Sequence, residues 1–210
     1  MVSKNPIIPS KKSLDIVREI STEVPTFHHH FHILYDIAQT HTGHVDFMEI
    51  GTFHGASACL MLQRPDTRVV TMDLGGYVGE EKVLDTLKKF NIHDNDFSYI
   101  QYDSHSLKTR FHVGDLFPTG VDILFIDADH SRDGILIDFL LYGDLVRQSG
   151  YLVFDDYNDF LCNPQVHVMI DELMECACGW NIIGTISNTL GAYAEPDNIP
   201  AGNCFIIHKK

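Results

Sequence analysis

The sequence predicts an α/β fold in which a doubly wound, mostly parallel sheet of seven strands carries helices on both faces. From Val45 onward, short apolar runs alternate with longer amphipathic stretches, the pattern of repeated strand–helix units. The apolar runs lack strict polar alternation, as is typical of parallel strands that are buried on both faces. With 210 residues, the chain has the length of one domain, residues 45–210, preceded by an N-terminal helical extension, residues 1–44.

Two helices are expected in the N-terminal extension, one near Lys12–Ile20 and one over about Phe27–Thr40. Apolar residues recur at helical spacing in the second helix, so its histidines are expected on the solvent-facing side. As an alternative, His28 and His32 lie four residues apart and could share an adventitious metal ion.

Five parallel strands and their helices are expected along the domain. The strands are predicted at Val45–Ile50, Arg68–Asp73, Phe97–Gln101, Asp122–Asp127 and Tyr151–Asp155. Helices are predicted at Ala56–Gln63, Glu80–Phe90, near Leu107–Phe111, at Asp133–Arg147 and over about Gln165–Cys178. Two closing runs, Asn181–Ser187 and Cys204–His208, are joined by a loop without a helix and are most simply an antiparallel pair.

The composition and charge of the chain favour a small-molecule partner in the cytoplasm. The sequence has 15 Lys and Arg against 29 Asp and Glu, a formal net charge of −14, so phosphate backbones and anionic lipid surfaces repel it. Neither a nucleic-acid partner nor a membrane partner is therefore expected. No apolar run is long enough to span a bilayer or to serve as a secretory signal. The five scattered cysteines form no C-x-x-C pair, which favours reduced thiols.

Glycines and acids follow the first three predicted strands, at the edge where an open α/β sheet binds its ligand. Gly51 and Gly55 bracket a strand-to-helix turn and let the backbone approach a ligand closely. Their G-x-x-x-G spacing is not the G-x-G-x-x-G of a dinucleotide site. Asp73 ends the second strand, where an acid that binds a ribose diol is expected. Asp103 and Ser104 follow the third strand and could face the exocyclic amine of an adenine.

Three carboxylates follow the next two strands. Asp127 ends the fourth predicted strand, and Asp155 and Asp156 end the fifth. Carboxylates brought close together would repel one another unless they are protonated or neutralised by a hard divalent cation. Oxygen-only ligands predict Mg²⁺, with Mn²⁺ or Ca²⁺ as alternatives. The other interpretation is that Asp155 and Asp156 cap the next helix, while Asp127 contacts only a cofactor.

On these residues the chain resembles class I S-adenosylmethionine-dependent methyltransferases, and most of all their small-molecule O-methyltransferase branch of catechol, caffeoyl-coenzyme A and antibiotic-sugar type. The resemblance covers about Val45–Lys210 and rests on Glu49–Ser57, Asp73, Asp103 with Ser104, Phe125–Ser131 and Ser149–Tyr157. Catechol-type members carry Asp-Asn where this chain has Asp155-Asp156, which is more similar to the sugar-modifying members.

The resemblance implies a Rossmann-like methyltransferase fold and a set of cofactor-binding residues. The methionine end of S-adenosylmethionine would contact the turn after the first strand, the ribose would bind Asp73, and the adenine would lie near the third strand. The implied cofactor residues are Glu49, Gly51, Thr52, Gly55, Ser57, Asp73, Asp103, Ser104 and Asp127. The cofactor is a sulfonium cation without phosphates, which suits an acidic cleft. The implied metal ligands are Asp127, Asp155 and Asp156, and the metal would bind two oxygens of the acceptor.

Asp129 and His130 are the candidate catalytic bases, because the acceptor oxygen must lose its proton while it is aligned opposite the sulfonium group. His130 could instead be structural, held by Ser131. The expected function is methyl transfer to the hydroxyl of a small molecule with divalent-metal assistance. The alternatives are a metal-independent methyltransferase of the same fold, a nicotinamide oxidoreductase and a non-catalytic cofactor-binding module. No motif identifies the acceptor, and the N-terminal helices could cover the cleft or form a homodimer contact.

Overall fold

Seven strands form one sheet: β1 Val45–Ile50, β2 Thr67–Asp73, β3 Phe97–Gln101, β4 Val121–Ile126, β5 Val146–Phe154, β6 Trp180–Ile186 and β7 Cys204–Lys209. The computed structural model describes residues 10–24, 29–92, 96–176, 178–186 and 204–210. Across the sheet the order is β3-β2-β1-β4-β5-β7-β6. Only β7 is antiparallel to its neighbours, β5 and β6. The predicted doubly wound, mostly parallel sheet with a closing antiparallel pair is therefore confirmed.

Helices cover both faces of this sheet: α1 Lys11–Glu23, α2 His32–Gln39, α3 Ala56–Leu62, α4 Glu80–Lys89, α5 Leu107–Leu116, α6 Arg132–Tyr142 and α7 Pro164–Cys176. One hydrophobic core joins α1, α2 and α3 to one face, and a second joins α6 and α7 to the other. All six residues of β1 and of β4 are buried, which explains why apolar and polar residues do not alternate strictly along these strands. In the described ranges, no helix is long and apolar enough to cross a bilayer.

The segment between α6 and β5 differs from its prediction. The sequence pattern predicts a helix over Asp133–Arg147 and a strand over Tyr151–Asp155, but α6 ends at Tyr142 and β5 already begins at Val146. Arg147 forms ion pairs with aspartates of β1 and β4, which hold the first part of β5 against the sheet. The pairing of β4 with β5 contains a register shift, so the first part of β5 is separated from the regular ladder that begins at Tyr151.

The N-terminal helices share a core with the sheet. Val17 of α1 and Leu34 of α2 are fully buried in the same cluster as Phe125 of β4. The ring of Phe31, just before α2, meets the ring of Phe125 edge-on with centroids 5.4 Å apart. Burial of these apolar side chains fixes the N-terminal segment over one face of the sheet.

Two of the histidines expected on the solvent-facing side, His30 and His32, do not face solvent, so for them that expectation is wrong. His30 and His32 are 1% and 2% exposed. Each is buried beside a carboxylate, which satisfies the imidazole inside the protein. His32 Nδ1 lies 3.0 Å from Asp36 Oδ2 within α2, and His30 pairs with an aspartate that follows β5. The alternative metal site between His28 and His32 lies outside the described residues, because His28 is not among them.

Candidate active site

Two cavities lie at the carboxyl ends of the parallel strands. The larger, of about 740 Å³, is lined by residues that follow β2, β3 and β4. The smaller, of about 170 Å³, lies between the turn after β1 and the N-terminal segment. Gly51, Phe53 and Asp127 line both cavities, so the two form one elongated cleft. Open α/β sheets bind their ligands in this position.

The turn after β1 depends on its two predicted glycines. Gly51 has a φ of +94°, and a side chain there would overlap the carbonyl oxygen of Asp127. Gly55 has a φ of +74° and caps the start of α3. Glycine therefore allows this turn to pass close beside the end of β4. Thr52 and Ser57, which the resemblance assigns to the cofactor, line the smaller cavity.

Asp73 organises the same turn. Its Oδ2 accepts hydrogen bonds from the backbone N–H groups of Thr52 and Phe53, each at 3.0 Å, and its Oδ1 accepts one from Gly75 at 2.8 Å. Asp73 also lines the larger cavity, where the sequence places a ribose diol. The structure therefore adds a loop-holding role to the predicted ligand-binding role.

Glu49 lies beneath the turn and is fully buried. It accepts a hydrogen bond from the hydroxyl of Ser57, and burial raises the pKa of Glu49 well above its ordinary value. Glu49 is not among the residues that line the two cavities, whereas Ser57 is. Its contact with the cleft is therefore indirect, through Ser57.

Asp103 and Ser104 form the part of the larger cavity that follows β3. Asp103 Oδ1 accepts a hydrogen bond from the backbone N–H of His105 at 2.9 Å. From α6, the Tyr142 hydroxyl donates to the backbone oxygen of Ser104 at 2.7 Å. His105 Nε2 lies 3.6 Å from Asp138 Oδ1, and Asp138 is fully buried. Helix α6 thus holds the segment on which the predicted adenine contacts lie.

Asp138→Asn is expected to stabilise the fold at pH 7.5 by about 1–3 kcal/mol. Burial raises the pKa of Asp138 to about 6, so the folded protein favours its protonated carboxyl. In the unfolded chain the same carboxyl ionises at a lower pH, at the ordinary pKa of an aspartate. The folded wild type therefore loses stability as the pH rises from about 4 to about 6. Urea unfolding should show the gain at pH 7.5 and a much smaller one at pH 4.5.

Asp85→Asn is the matched control for this prediction, because Asp85 lies on the exposed side of α4 with 52% of its side chain accessible. Its stability should differ little from that of the wild type at either pH. An equal gain for Asp138→Asn at both pH values would show that burial of the charge is not the cause.

The three predicted metal ligands, Asp127, Asp155 and Asp156, all line the smaller cavity, but they fall into two clusters. In the first, His130 Nε2 lies 3.3 Å from Asp127 Oδ1 and 3.1 Å from Asp156 Oδ2. In the second, Asp155 Oδ1 lies 2.8 Å from His30 Nε2. The three predicted metal ligands are therefore divided, and His130 takes the place beside Asp127 and Asp156 that was assigned to Asp155.

Charges from both clusters shift the pKa values of Asp127 and His130. Burial and the charge of Asp155 raise the pKa of Asp127 to about 7. Burial alone would lower the pKa of His130, but Asp127 and Asp156 outweigh it and raise that pKa to about 10. The positive group between these two carboxylates can therefore be either a protonated His130 or a bound cation.

Asp129 lies at the start of α6 and lines the larger cavity. Its Oδ1 accepts a hydrogen bond from the backbone N–H of Ser131 at 2.9 Å, which lowers the pKa of Asp129. Ser131 in turn caps the helix by accepting from the N–H of Gly134. His130 Nε2 lies beside Asp127 and Asp156.

The N-terminal segment contributes residues that were not predicted for the site. Val24 and Phe31 line the smaller cavity, and His30 pairs with Asp155. The histidine-rich run was visible in the sequence, but its helical spacing indicated a solvent-facing side rather than a contact with β5.

The fold is shared with solved structures, among them two O-methyltransferases. Cofactor-bound Rv0187 from MTB has a TM-score of 0.65 and 18% identity, over 95% of this chain and 90% of that one. The O-methyltransferase from Bacillus cereus in complex with SAH has a TM-score of 0.60 and 18% identity, over 96% and 93%. TomG, an O-methyltransferase from Streptomyces achromogenes in complex with SAM, has a TM-score of 0.59 and 16% identity, over 96% and 91%. These likenesses show that the chain has the fold of these structures, a Rossmann-like methyltransferase fold.

The family follows from sequence comparison. A family model described as a methyltransferase domain matches residues 48–157, from β1 to the carboxylates after β5. The uncharacterised protein R132 of Acanthamoeba polyphaga mimivirus is 36% identical over 185 residues, 83% of this chain and 82% of that protein. The chain therefore belongs to this methyltransferase family, which confirms the resemblance seen in the sequence.

Proposed function

We propose that the protein transfers a methyl group from S-adenosylmethionine to a hydroxyl group of a small molecule, with a divalent cation bound at Asp127, His130 and Asp156. The observation that carries this proposal is the position of Asp127, which lies where the two cavities join and also belongs to the Asp127–His130–Asp156 cluster. A methyl donor lying along the cleft would present its sulfonium group beside that cluster.

The cofactor fits the cleft as follows. The adenosine would bind in the larger cavity, where Asp73 would hold the ribose and Ser104 would lie near the adenine. Thr52 and Ser57 would hold the methionine end in the smaller cavity. The carboxylates that line the smaller cavity favour the positive charge of the sulfonium group. Because the cofactor has no phosphates, basic side chains are not needed to bind it.

The Asp127–His130–Asp156 cluster has the donor chemistry of a divalent-cation site. Its three potential ligand atoms all lie within 4.8 Å of one another. His130 Nε2 is buried and makes no hydrogen bond, although both carboxylates lie close to it. Ligands at right angles around an ion with bonds of about 2.1 Å lie about 3 Å apart, close to the separations found here.

The mixed nitrogen and oxygen donors favour Mn²⁺ over the Mg²⁺ that an oxygen-only set would select. When bound there, a divalent cation lowers the pKa of the acceptor hydroxyl and orients it. Asn163 supports the set, because its side-chain amide donates to Asp156 Oδ2 at 2.7 Å.

The remaining chemistry falls to residues of the chain. With His130 committed to the cluster, Asp129 is the proton acceptor, and it lines the cavity next to His130. The acceptor oxygen loses its proton to Asp129 and forms a bond to the methyl carbon. The carbon–sulfur bond breaks, its electron pair stays on sulfur, and S-adenosylhomocysteine leaves.

The test is transfer of labelled methyl from S-adenosylmethionine to panels of sugars, catechols and hydroxylated natural products. The protein is first treated with EDTA and then supplied with Mn²⁺ or Mg²⁺. We expect O-methylated products only after a cation is restored, with Mn²⁺ the more effective. Full activity in EDTA would show that the reaction needs no metal ion, while the methyltransferase activity itself would still be supported. If only nitrogen or carbon atoms were methylated, the proposed transfer to a hydroxyl group would be wrong. If NAD rather than S-adenosylhomocysteine protected the protein against heat, the proposed cofactor would be wrong.

A further inference from the structure

His30 connects the N-terminal segment to the acidic end of the cleft. Its Nε2 lies 2.8 Å from Asp155 Oδ1, across 125 positions of sequence. Both side chains are buried, with exposed fractions of 0% for His30 and 4% for Asp155. A hydrogen bond to a charged group in such a setting is short and strong. Loss of the His30 donor would deprive the buried carboxylate of this hydrogen bond, which is unfavourable.

Neighbouring groups keep this pair in one place. The Phe31 ring follows His30 directly and packs edge-on against Phe125 of β4. On the other side, Cys204 at the start of β7 lies with its Sγ 3.5 Å from Asp155 Oδ1. The carboxylate of Asp155 is therefore held between the N-terminal segment and the sheet, away from His130.

The direction of Asp155 also bears on Asp156. The two residues are consecutive, and Asp156 has a left-handed backbone with a φ of +56°, so their side chains leave the chain in different directions. Without His30, the carboxylate of Asp155 would lose one of its contacts and could turn toward Asp127, to whose environment it already contributes negative charge. A third carboxylate at that position would compete with Asp156 and His130.

We propose that His30 is a positioning residue of the active site: by holding Asp155, it keeps Asp156 and His130 arranged around the cation. This inference rests on the proposed function. It means that the N-terminal segment is a working part of the methyltransferase rather than only a cover for the sheet.

The experiment measures Mn²⁺ affinity by electron paramagnetic resonance, together with kcat and KM for methyl transfer, in His30→Ala and His30→Gln. Removing a group that orients the ligands of a metal typically weakens affinity about 10- to 100-fold, and we expect that loss for His30→Ala. The glutamine amide still offers an N–H donor to Asp155, so His30→Gln should recover most of the affinity. The fall in activity should appear in kcat more than in KM for S-adenosylmethionine.

His32→Ala is the matched control, because His32 also forms a buried imidazole–carboxylate pair in the same segment, 3.0 Å from Asp36, but away from the cleft. It should lower the melting temperature, as we also expect for His30→Ala, and leave Mn²⁺ affinity unchanged. Equal Mn²⁺ affinity in His30→Ala and wild type, or equal losses in both alanine variants, would overturn the positioning role. Wild type that binds no Mn²⁺ would instead overturn the proposed metal site, and this inference with it.

Discussion

Replacing Asp156 with glycine is expected to lower kcat for methyl transfer at least about 100-fold, because it removes a carboxylate from the proposed cation site. Glycine is the informative substitution here. Asp156 has a φ of +56°, which glycine adopts without strain, so the change removes the side chain with little effect on the backbone. Affinity for S-adenosylhomocysteine should stay nearly unchanged, since the cation orients the acceptor and not the cofactor. Steady-state kinetics with added Mn²⁺ and calorimetric titration measure the two effects.

Asp66→Gly is the matched control for this variant. Asp66 has nearly the same φ, +59°, and lies exposed in the turn before β2. Its replacement should leave kcat at the wild-type value. Asn163→Ala separates the lost hydrogen bond to Asp156 from the lost carboxylate, and its effect should be much smaller. A wild-type rate in Asp156→Gly with Mn²⁺ present would exclude this residue from the reaction.

The fold could be predicted because its strongest signals are local. The β1 and β4 strands are buried along their whole length, so their sequences are mostly apolar without strict polar alternation. The helices between the strands supply the crossover connections that parallel strands require. The turn after β1 was recognisable for the same reason, since Gly51 and Gly55 are needed at positive φ beside the end of β4.

The arrangement of the carboxylates could not be predicted, because it depends on contacts between distant segments. Asp155 and Asp156 look equivalent in the sequence. In the structure, however, Asp155 pairs with the buried His30, whereas Asp156 lies beside His130. Hydrophobic periodicity reports which side of a helix is apolar, and a buried histidine paired with a remote carboxylate gives the same pattern as an exposed one. The error at α6 and β5 has a similar origin, since ion pairs of Arg147 with other strands decide where β5 begins.

Asp73→Ala is expected to weaken binding of S-adenosylhomocysteine by about 2–4 kcal/mol, or about 30- to 700-fold. The variant loses the proposed charge-assisted hydrogen bonds to the ribose. It also loses the acceptor for the backbone N–H groups of Thr52, Phe53 and Gly75, which hold the turn beside the cofactor. Calorimetric titration measures the change, and the melting temperature without ligand reports whether the fold itself has suffered.

A 2′,3′-dideoxy analogue of S-adenosylhomocysteine separates the two contributions of Asp73. If the carboxylate acts on the ribose hydroxyls, the analogue should bind wild type and Asp73→Ala with similar, weak affinity, because it lacks the groups that the carboxylate recognises. If holding the turn dominates, the analogue should lose affinity in the variant as much as the parent ligand does. Because Asp73 makes three backbone hydrogen bonds before any ligand is bound, we expect a measurable loss for the analogue and a larger one for the parent. Unchanged affinity for both ligands would mean that the ribose binds elsewhere than at the end of β2.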